Sequence, residues 1–290
     1  MIEISVIVPS YNHPKTIEKC IKSLLHQKFT REFEIIIVDS SGKEIQKKVE
    51  SICQRDRRIK LIKRKDQTYP GSARNIGIKK ALGDIIALID ADCIADDDWL
   101  ENIYQNMDDD IILSGVIKNG TPENVMGSCS YMIEFSHFQE FSEHQRYSPA
   151  AATCNFACKR IIFEQIGYFS KARAYEDFLF CRKFVKEGGK IILRKDINVT
   201  HVNKIDLKSI RDNQFILGKY SAIARRENGL SPKLIFKYPI LSPLLIGYRY
   251  VSILSRLFHR KRLFTFLWCT PVIVYLLGYW CSGFYHGSKE

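Results

Sequence analysis

Residues Ile85 to Asp92 read Ile-Ile-Ala-Leu-Ile-Asp-Ala-Asp, an apolar run that stops in two carboxylates two positions apart. A strand covered on both faces looks like this, because it has no need to alternate apolar and polar side chains. Acids at the carboxyl end of such a strand stand where open α/β sheets bind ligands. At i and i+2, Asp90 and Asp92 point to one side of the chain, and paired oxygen ligands suit a hard divalent cation. The competing reading is a solvated turn with helix-capping acids, which Asp96, Asp97 and Asp98 just downstream fit.

Outward from this stretch, strand and helix patterns alternate. Residues 2–8 read as a strand closed by Pro9 and the polar loop Ser10-Tyr11-Asn12-His13-Pro14. A helix is expected from Thr16, with Ile17, Ile21, Leu24 and Leu25 on one face. Phe33 to Val38 is a second apolar strand that again closes on an acid, Asp39, before Ser40-Ser41-Gly42. A helical pattern over 44–56, a short strand Ile59 to Ile62 and a helix Gly71 to Leu82 complete the approach to Ile85. This alternation predicts an α/β fold, a doubly wound, mostly parallel sheet with helices on both faces. The loop after the first strand contains no glycine, so the phosphate-binding fingerprint of a nicotinamide-dependent oxidoreductase is missing.

The chain has 290 residues and a net charge of +12, which suits an anionic ligand or membrane surface. Its basic residues are spread out and carry no zinc-finger, RNP or basic-helix signature, so nucleic acid is not an expected partner. The nine cysteines form no CxxC pair and read as small apolar residues of a reducing cytosol. Cys154 and Cys158 lack the second ligand pair that a structural metal site needs. The N-terminus enters a strand directly, so no signal peptide is expected.

Beyond Ser231 the composition shifts. Acids vanish between Glu227 and Glu290 while aromatic and aliphatic residues become dense. Leu263 to Tyr285 holds 23 residues without a charge. As a helix it would reach ~34 Å at ~1.5 Å per residue, against a hydrocarbon core of ~30 Å. Tyr238 to Phe258 carries Arg249 and Arg256 on one helical face and reads as an in-plane amphipathic helix. With His259-Arg260-Lys261-Arg262 between the two, one span with the basic cluster on the cytosolic side obeys the positive-inside rule. A re-entrant hairpin and a hydrophobic helix packed on a soluble domain are the alternatives. A chain ending near Leu230 is expected to be soluble.

The motifs occur together and in order: Ser5-Val6-Ile7-Val8-Pro9-Ser10-Tyr11-Asn12, Ile37-Val38-Asp39-Ser40-Ser41, Gly71-Ser72-Ala73-Arg74-Asn75-Ile76-Gly77, Asp90-Ala91-Asp92, Cys154-Asn155-Phe156-Ala157 and Glu176-Asp177-Phe178-Leu179. In this the chain resembles the family-2 inverting glycosyltransferases, whose catalytic domain has the GT-A fold. The resemblance covers residues 2 to about 202. One departure is Ser40, where the family often carries a second acid beside the first.

The resemblance implies a nucleotide-sugar donor and a divalent cation, Mn²⁺ or Mg²⁺. Asp92 is the expected direct metal ligand, with Asp90 nearer the ribose or the outer metal shell. Asp39 would accept from the ring N–H of the base, with Pro9, Ser10 and Tyr11 flanking it. Asn12, Ser41 and Asn75 are further expected substrate-binding residues. Arg74 would sit against base or phosphate, or else is a surface helical arginine. Asp177 is implied as the base that takes the acceptor's proton, with Glu176 supporting the acceptor. Acids at a helix start also interact favourably with the macrodipole, which keeps such an aspartate ionised and lowers its pKa. His201 could reach the metal or be an ordinary structural histidine. Asn155 and Phe156 are expected on the acceptor side. Tyr131, Phe135, Phe138 and Phe141 are spaced as a helix face, for core or acceptor entry. The division implied is 1–112 as the nucleotide-sugar-binding half, 113–230 as the acceptor and catalytic half, and 231–290 as a membrane-associated helical tail. The function expected is inverting sugar transfer to a hydroxyl at the cytosolic face of the cell membrane, the acceptor being a glycan or a lipid-linked one. A polyprenyl-phosphate sugar synthase is the alternative. So is a nucleotide-sugar-binding scaffold without turnover, which would have no chemical need of Asp90, Asp92 and Asp177 together.

Overall fold

The computed structural model describes residues 1–258 and 263–290, so the basic cluster His259 to Arg262 lies outside the described residues. The chain forms β1 (Ile4–Ser10), α1 (Ile17–Leu25), β2 (Phe33–Asp39), α2 (Lys43–Cys53), β3 (Ile59–Lys63), α3 (Pro70–Ile78), β4 (Ile85–Leu88), β5 (Cys93–Ala95), α4 (Trp99–Asn106) and β6 (Ile111–Asn119). There follow α5 (Val125–Phe135), β7 (Gln145–Tyr147), β8 (Phe156–Lys159), α6 (Arg160–Ile166), α7 (Glu176–Lys186), β9 (Lys190–His201), α8 (Leu207–Glu227), α9 (Lys233–Lys237), α10 (Leu244–Phe258) and α11 (Leu263–Gly287). Two compact units result: Met1–Lys118 with Glu140–Val202, and Asn119–Gln139 with Asn203–Glu290.

The first unit is the expected α/β layer structure. Among the described residues its nine strands run in the order β3-β2-β1-β4-β8-β6-β9-β5, with β7 beside β9. β1 pairs in parallel with β2 and β4, and β2 with β3. Every residue of β2 is buried, as an apolar run covered on both faces requires. Beyond β4 the pairings turn antiparallel: β8 with β4 and β6, and β9 with β5 and β7. Parallel neighbours need a crossover, whereas antiparallel ones accept other connections. The carboxyl ends of β1, β2 and β4 open on one edge of the sheet, and the polar motifs follow them.

The second unit is helical. Where α8 crosses α11, glycines let the two backbones approach. A Cβ at Gly218 would lie 1.8 Å from the Trp280 carbonyl oxygen, and one at Gly283 would lie 2.0 Å from that of Phe215. Glu134 of α5 accepts from Asn213 and Gln214 of α8 at 3.1 and 3.0 Å. α10 meets α11 through the Tyr250 and Phe266 rings, 5.1 Å apart. The units therefore divide at Val202 and not at Ser231, and 119–139 belongs with the helices. The physical reason is that the small-residue face of α8 is buried against the apolar tail. α5 stops at Phe135, so Phe138 and Phe141 fall beyond the helix face expected for them, and both are buried.

Candidate active site

The donor-side loops are cross-linked at the ends of β1 and β2. The Ser41 hydroxyl donates to Asp39 Oδ1 at 2.7 Å and accepts from the Asn12 amide at 2.8 Å. Asn12 takes a left-handed backbone, φ 57°, which asparagine tolerates better than most side chains. Ser40 N donates to the Ser10 carbonyl at 3.0 Å, which holds the two loops edge to edge. Asp39 Oδ2 and the Ser10 hydroxyl are buried without a partner in the protein. A buried carboxylate oxygen left unpaired is costly, so Asp39 presents an unused acceptor at this edge. Pro9 is half-buried, and Tyr11 is exposed.

The D-x-D turn is tied down by its backbone, Cys93 N donating to the Asp90 carbonyl at 2.9 Å. Its two carboxylates then diverge. Asp90 Oδ1 accepts from Arg74 Nη2 at 2.6 Å. Asp92 faces β9: the β5–β9 register sets Cys93 opposite His201, and Val202 N donates to the Asp92 carbonyl at 2.9 Å. His201 Nε2 consequently stands 3.6 Å from Asp92 Oδ1. The ligand atoms of Asp92, His201 and Cys93 all lie within 4.8 Å of one another. A carboxylate and an imidazole are a sound donor pair for a divalent cation. Burial, with Cys154 beside it, drives the Cys93 thiol far above its ordinary range, so it is a reluctant third donor. Asp90 lies outside this cluster, its carboxylate held by Arg74.

Arg74 is not a surface arginine, nor is it open to base or phosphate. It is 2% exposed, and its guanidinium bridges Asp90 and Glu176, reaching the latter at 2.8 Å. Burial opposes its charge, but Asp90 and Glu176 more than offset that and raise its pKa. Gly71 makes the approach possible, since a Cβ there would sit 2.7 Å from the Ser170 carbonyl oxygen and 2.9 Å from Glu176 Cγ. Glu176 and Asp177 open α7 as expected, behind Tyr175 in the left-handed region at φ 67°. Burial and the neighbouring Asp177 charge push Glu176 up to about 7 against the pull of Arg74. Burial raises the Asp177 carboxyl too, against the Phe178 amide that donates to it at 2.7 Å. The lowering expected from a helix start is thus overturned, because lost hydration outweighs the helix terminus.

Three expected substrate contacts serve the framework instead. Asn155 is 0% exposed: its Oδ1 accepts from Trp99 Nε1 at 2.9 Å, and its Nδ2 donates to the Val116 and Ile197 carbonyls at 3.2 and 3.0 Å. Buried in this way, it is out of reach of an acceptor. Phe156 is buried in the core. Asn75 clamps Phe169, donating to its carbonyl at 2.8 Å and accepting from its amide at 3.1 Å. Sequence reasoning missed Cys93, although its adjacency to Asp92 was a signal, and missed Tyr175, whose backbone no sequence pattern announces.

A doubly wound sheet with acids at its strand ends, and a carboxylate–imidazole pair beside a buried ion-pair network, is a scaffold suited to an anionic ligand held with a divalent cation. The comparisons carry this further. The model of glycosyl transferase family 2 matches residues 5–167, and the chain belongs to that family. It is 39% identical over 99 residues to an uncharacterized glycosyltransferase of Rickettsia conorii, a stretch that covers 34% of this chain and 16% of that protein. It is 25% identical over 264 residues to a dolichyl N-acetyl-alpha-D-glucosaminyl phosphate 3-beta-D-2,3-diacetamido-2,3-dideoxy-beta-D-glucuronosyltransferase of Methanococcus voltae, covering 83% of this chain and 80% of that protein. The mannosyltransferase PcManGT of Pyrobaculum calidifontis, solved with GDP-Man and Mn²⁺, shares the fold with a TM-score of 0.62 at 19% identity, over 93% of this chain and 74% of that one.

Proposed function

We propose that the chain transfers a sugar, with inversion, from a nucleotide-sugar donor to a hydroxyl of a lipid-linked glycan at the cytosolic face of the cell membrane. The observation that carries the reading is the pairing of Asp92 with His201 beside the Asp90–Arg74–Glu176 bridge, with Asp177 next in chain. Asp39 accepts from the base's N–H through its unpaired oxygen, and Pro9, Ser10 and Tyr11 flank the base. Asp92 and His201 would hold Mn²⁺ or Mg²⁺. Such a cation, when bound, offsets the negative charge that gathers on the departing nucleoside diphosphate. Asp177 takes the proton of the attacking hydroxyl, and the single displacement inverts the anomeric carbon. Arg74 keeps Asp90 and Glu176 in place without contacting substrate.

A lipid-linked acceptor is supported by the Methanococcus voltae relative, which is named for action on a dolichyl phosphate-linked sugar. It is supported too by the apolar α11, the one helix among the described residues long and apolar enough to cross a membrane. The test is a screen of nucleotide sugars with Mn²⁺ or Mg²⁺, followed by transfer to polyprenyl-linked acceptors. Donor binding with no hydrolysis or transfer on any acceptor would favour the scaffold; release of nucleoside diphosphate from no donor and binding of none would end the reading.

A further inference from the structure

The exposed stripe of α11 changes character partway along. Phe264, Leu267, Trp268 and Tyr275 are exposed, Phe264 at 87% and Trp268 at 79%, whereas the later exposed positions Ser282 and His286 are polar. The change falls where α8 takes up the helix. From Tyr279 onward α11 lies against α8: Arg211 stands over the Tyr279 ring at 5.2 Å, Arg226 Nη1 donates to the Ser288 carbonyl at 2.9 Å, and Lys219 pairs with Glu290 at 2.6 Å. Charged side chains along a helix do not enter hydrocarbon without heavy cost. Arg211 also bonds the Tyr275 hydroxyl, so the part of α11 free to meet lipid is Phe264 to Val274, ~16 Å long at ~1.5 Å per residue. That is little more than half of a ~30 Å hydrocarbon core.

α10 supplies a matching stripe. Leu244, Tyr248 and Val251 are exposed at i, i+4 and i+7, Tyr248 at 72%. The charge is one-signed: residues 228–289 hold eight Lys and Arg and no acid. Exposed aromatic and aliphatic side chains in a segment whose only charges are basic complement an anionic leaflet.

We propose that α10 and the first half of α11 lie in the plane of one anionic leaflet, and that α11 does not cross the membrane. The inference rests on the membrane-attached reading above and sharpens it from a span to one-sided docking. The aromatic residues sit at headgroup level, the apolar stripes enter the acyl boundary, and the basic residues meet lipid phosphates.

The test uses the full chain. It should float with phosphatidylcholine vesicles that contain phosphatidylglycerol, and at least about tenfold less with phosphatidylcholine alone or in high salt. Phe264→Glu combined with Trp268→Glu should abolish flotation while leaving the circular dichroism spectrum and nucleotide binding unchanged. In cells, alkaline carbonate should release the chain, and a tag after Glu290 should be reachable from the side that the N-terminus occupies. Carbonate resistance with that tag on the opposite face would mean a span and overturn this inference alone. A chain that binds neither vesicle, and instead self-associates through this surface, overturns the membrane-attached reading with it. Unchanged flotation of the doubly substituted chain would show that a different surface binds lipid.

Discussion

Burial raises both acids at the start of α7, Glu176 to about 7, and the consequence for pH is definite. A base works deprotonated, so activity falls as pH drops through its pKa. With that value raised, the acid limb of kcat/KM should stand clearly above the ~3.9 of an ordinary aspartate. Arg74 pulls both carboxyls down, so Arg74→Gln should move the limb to higher pH, and breaking the buried pair should cost about 3–5 kcal/mol of stability. A pH–rate profile run beside thermal melts reads both effects; a limb that stays put would remove Asp177 and Glu176 from the acid-sensitive step. Asp177→Asn should lower transfer by ~10²–10⁴-fold with nucleoside diphosphate affinity nearly unchanged. Equal loss of binding and turnover would instead place Asp177 on the donor side. Asp92→Asn should forfeit several kcal/mol of transition-state stabilisation, and with it the Mn²⁺-dependence of nucleoside diphosphate binding in calorimetry. Full activity of the unsubstituted chain in excess EDTA would contradict the metal role of Asp92 and His201.

At the scale of elements, β6, β8 and β9 are held together by Asn155, whose side-chain amide serves the Val116 and Ile197 carbonyls and the Trp99 indole. Asn155→Ala leaves those buried groups without a partner, at about 1–3 kcal/mol for each unsatisfied one. The denaturation midpoint should fall while the KM for acceptor stays within the error of the wild type. A selective rise in that KM would restore the acceptor role that the sequence suggested for it. In the helical unit, Gly283→Ala would push a methyl carbon to 2.0 Å from the Phe215 carbonyl oxygen. Overpacking of this kind typically costs about 1–3 kcal/mol. Limited proteolysis should then cut first within 203–290, and an unchanged digestion pattern would show that the α8–α11 crossing tolerates extra volume.

For the whole molecule, the division into units reverses one expectation. A chain that ends at Leu230 removes α11 from α8 and uncovers Gly218 and Ala222. Exposed apolar and small-residue surface of this kind favours aggregation. Such a truncation should therefore be poorly soluble, whereas the full chain carrying Phe264→Glu and Trp268→Glu should stay in solution. Sedimentation of both after expression decides it: a soluble, monomeric chain ending at Leu230 would mean that α8 needs no partner.

The local elements were legible in the sequence because their signals are local. The apolar run to Asp92, the acids closing β2 and β4, and the helical pattern that begins at Gly71 mark strands, loops and helices without knowledge of distant residues. The family follows from the order of those motifs. Which carboxylate faces which partner was not legible, because Asp90 and Asp92 share a side of the chain but not a neighbour. Arg74 on α3 claims Asp90, whereas the antiparallel register of β5 with β9 delivers His201 to Asp92. Asn155 looked like a ligand for the same reason: a polar side chain in an apolar run reads as functional until the carbonyls it satisfies come from elsewhere in the sheet. Composition alone likewise could not tell a spanning helix from one that rests half its length on a charged neighbour. That distinction depends on α8 lying against α11, a packing that hydropathy along a single segment does not contain.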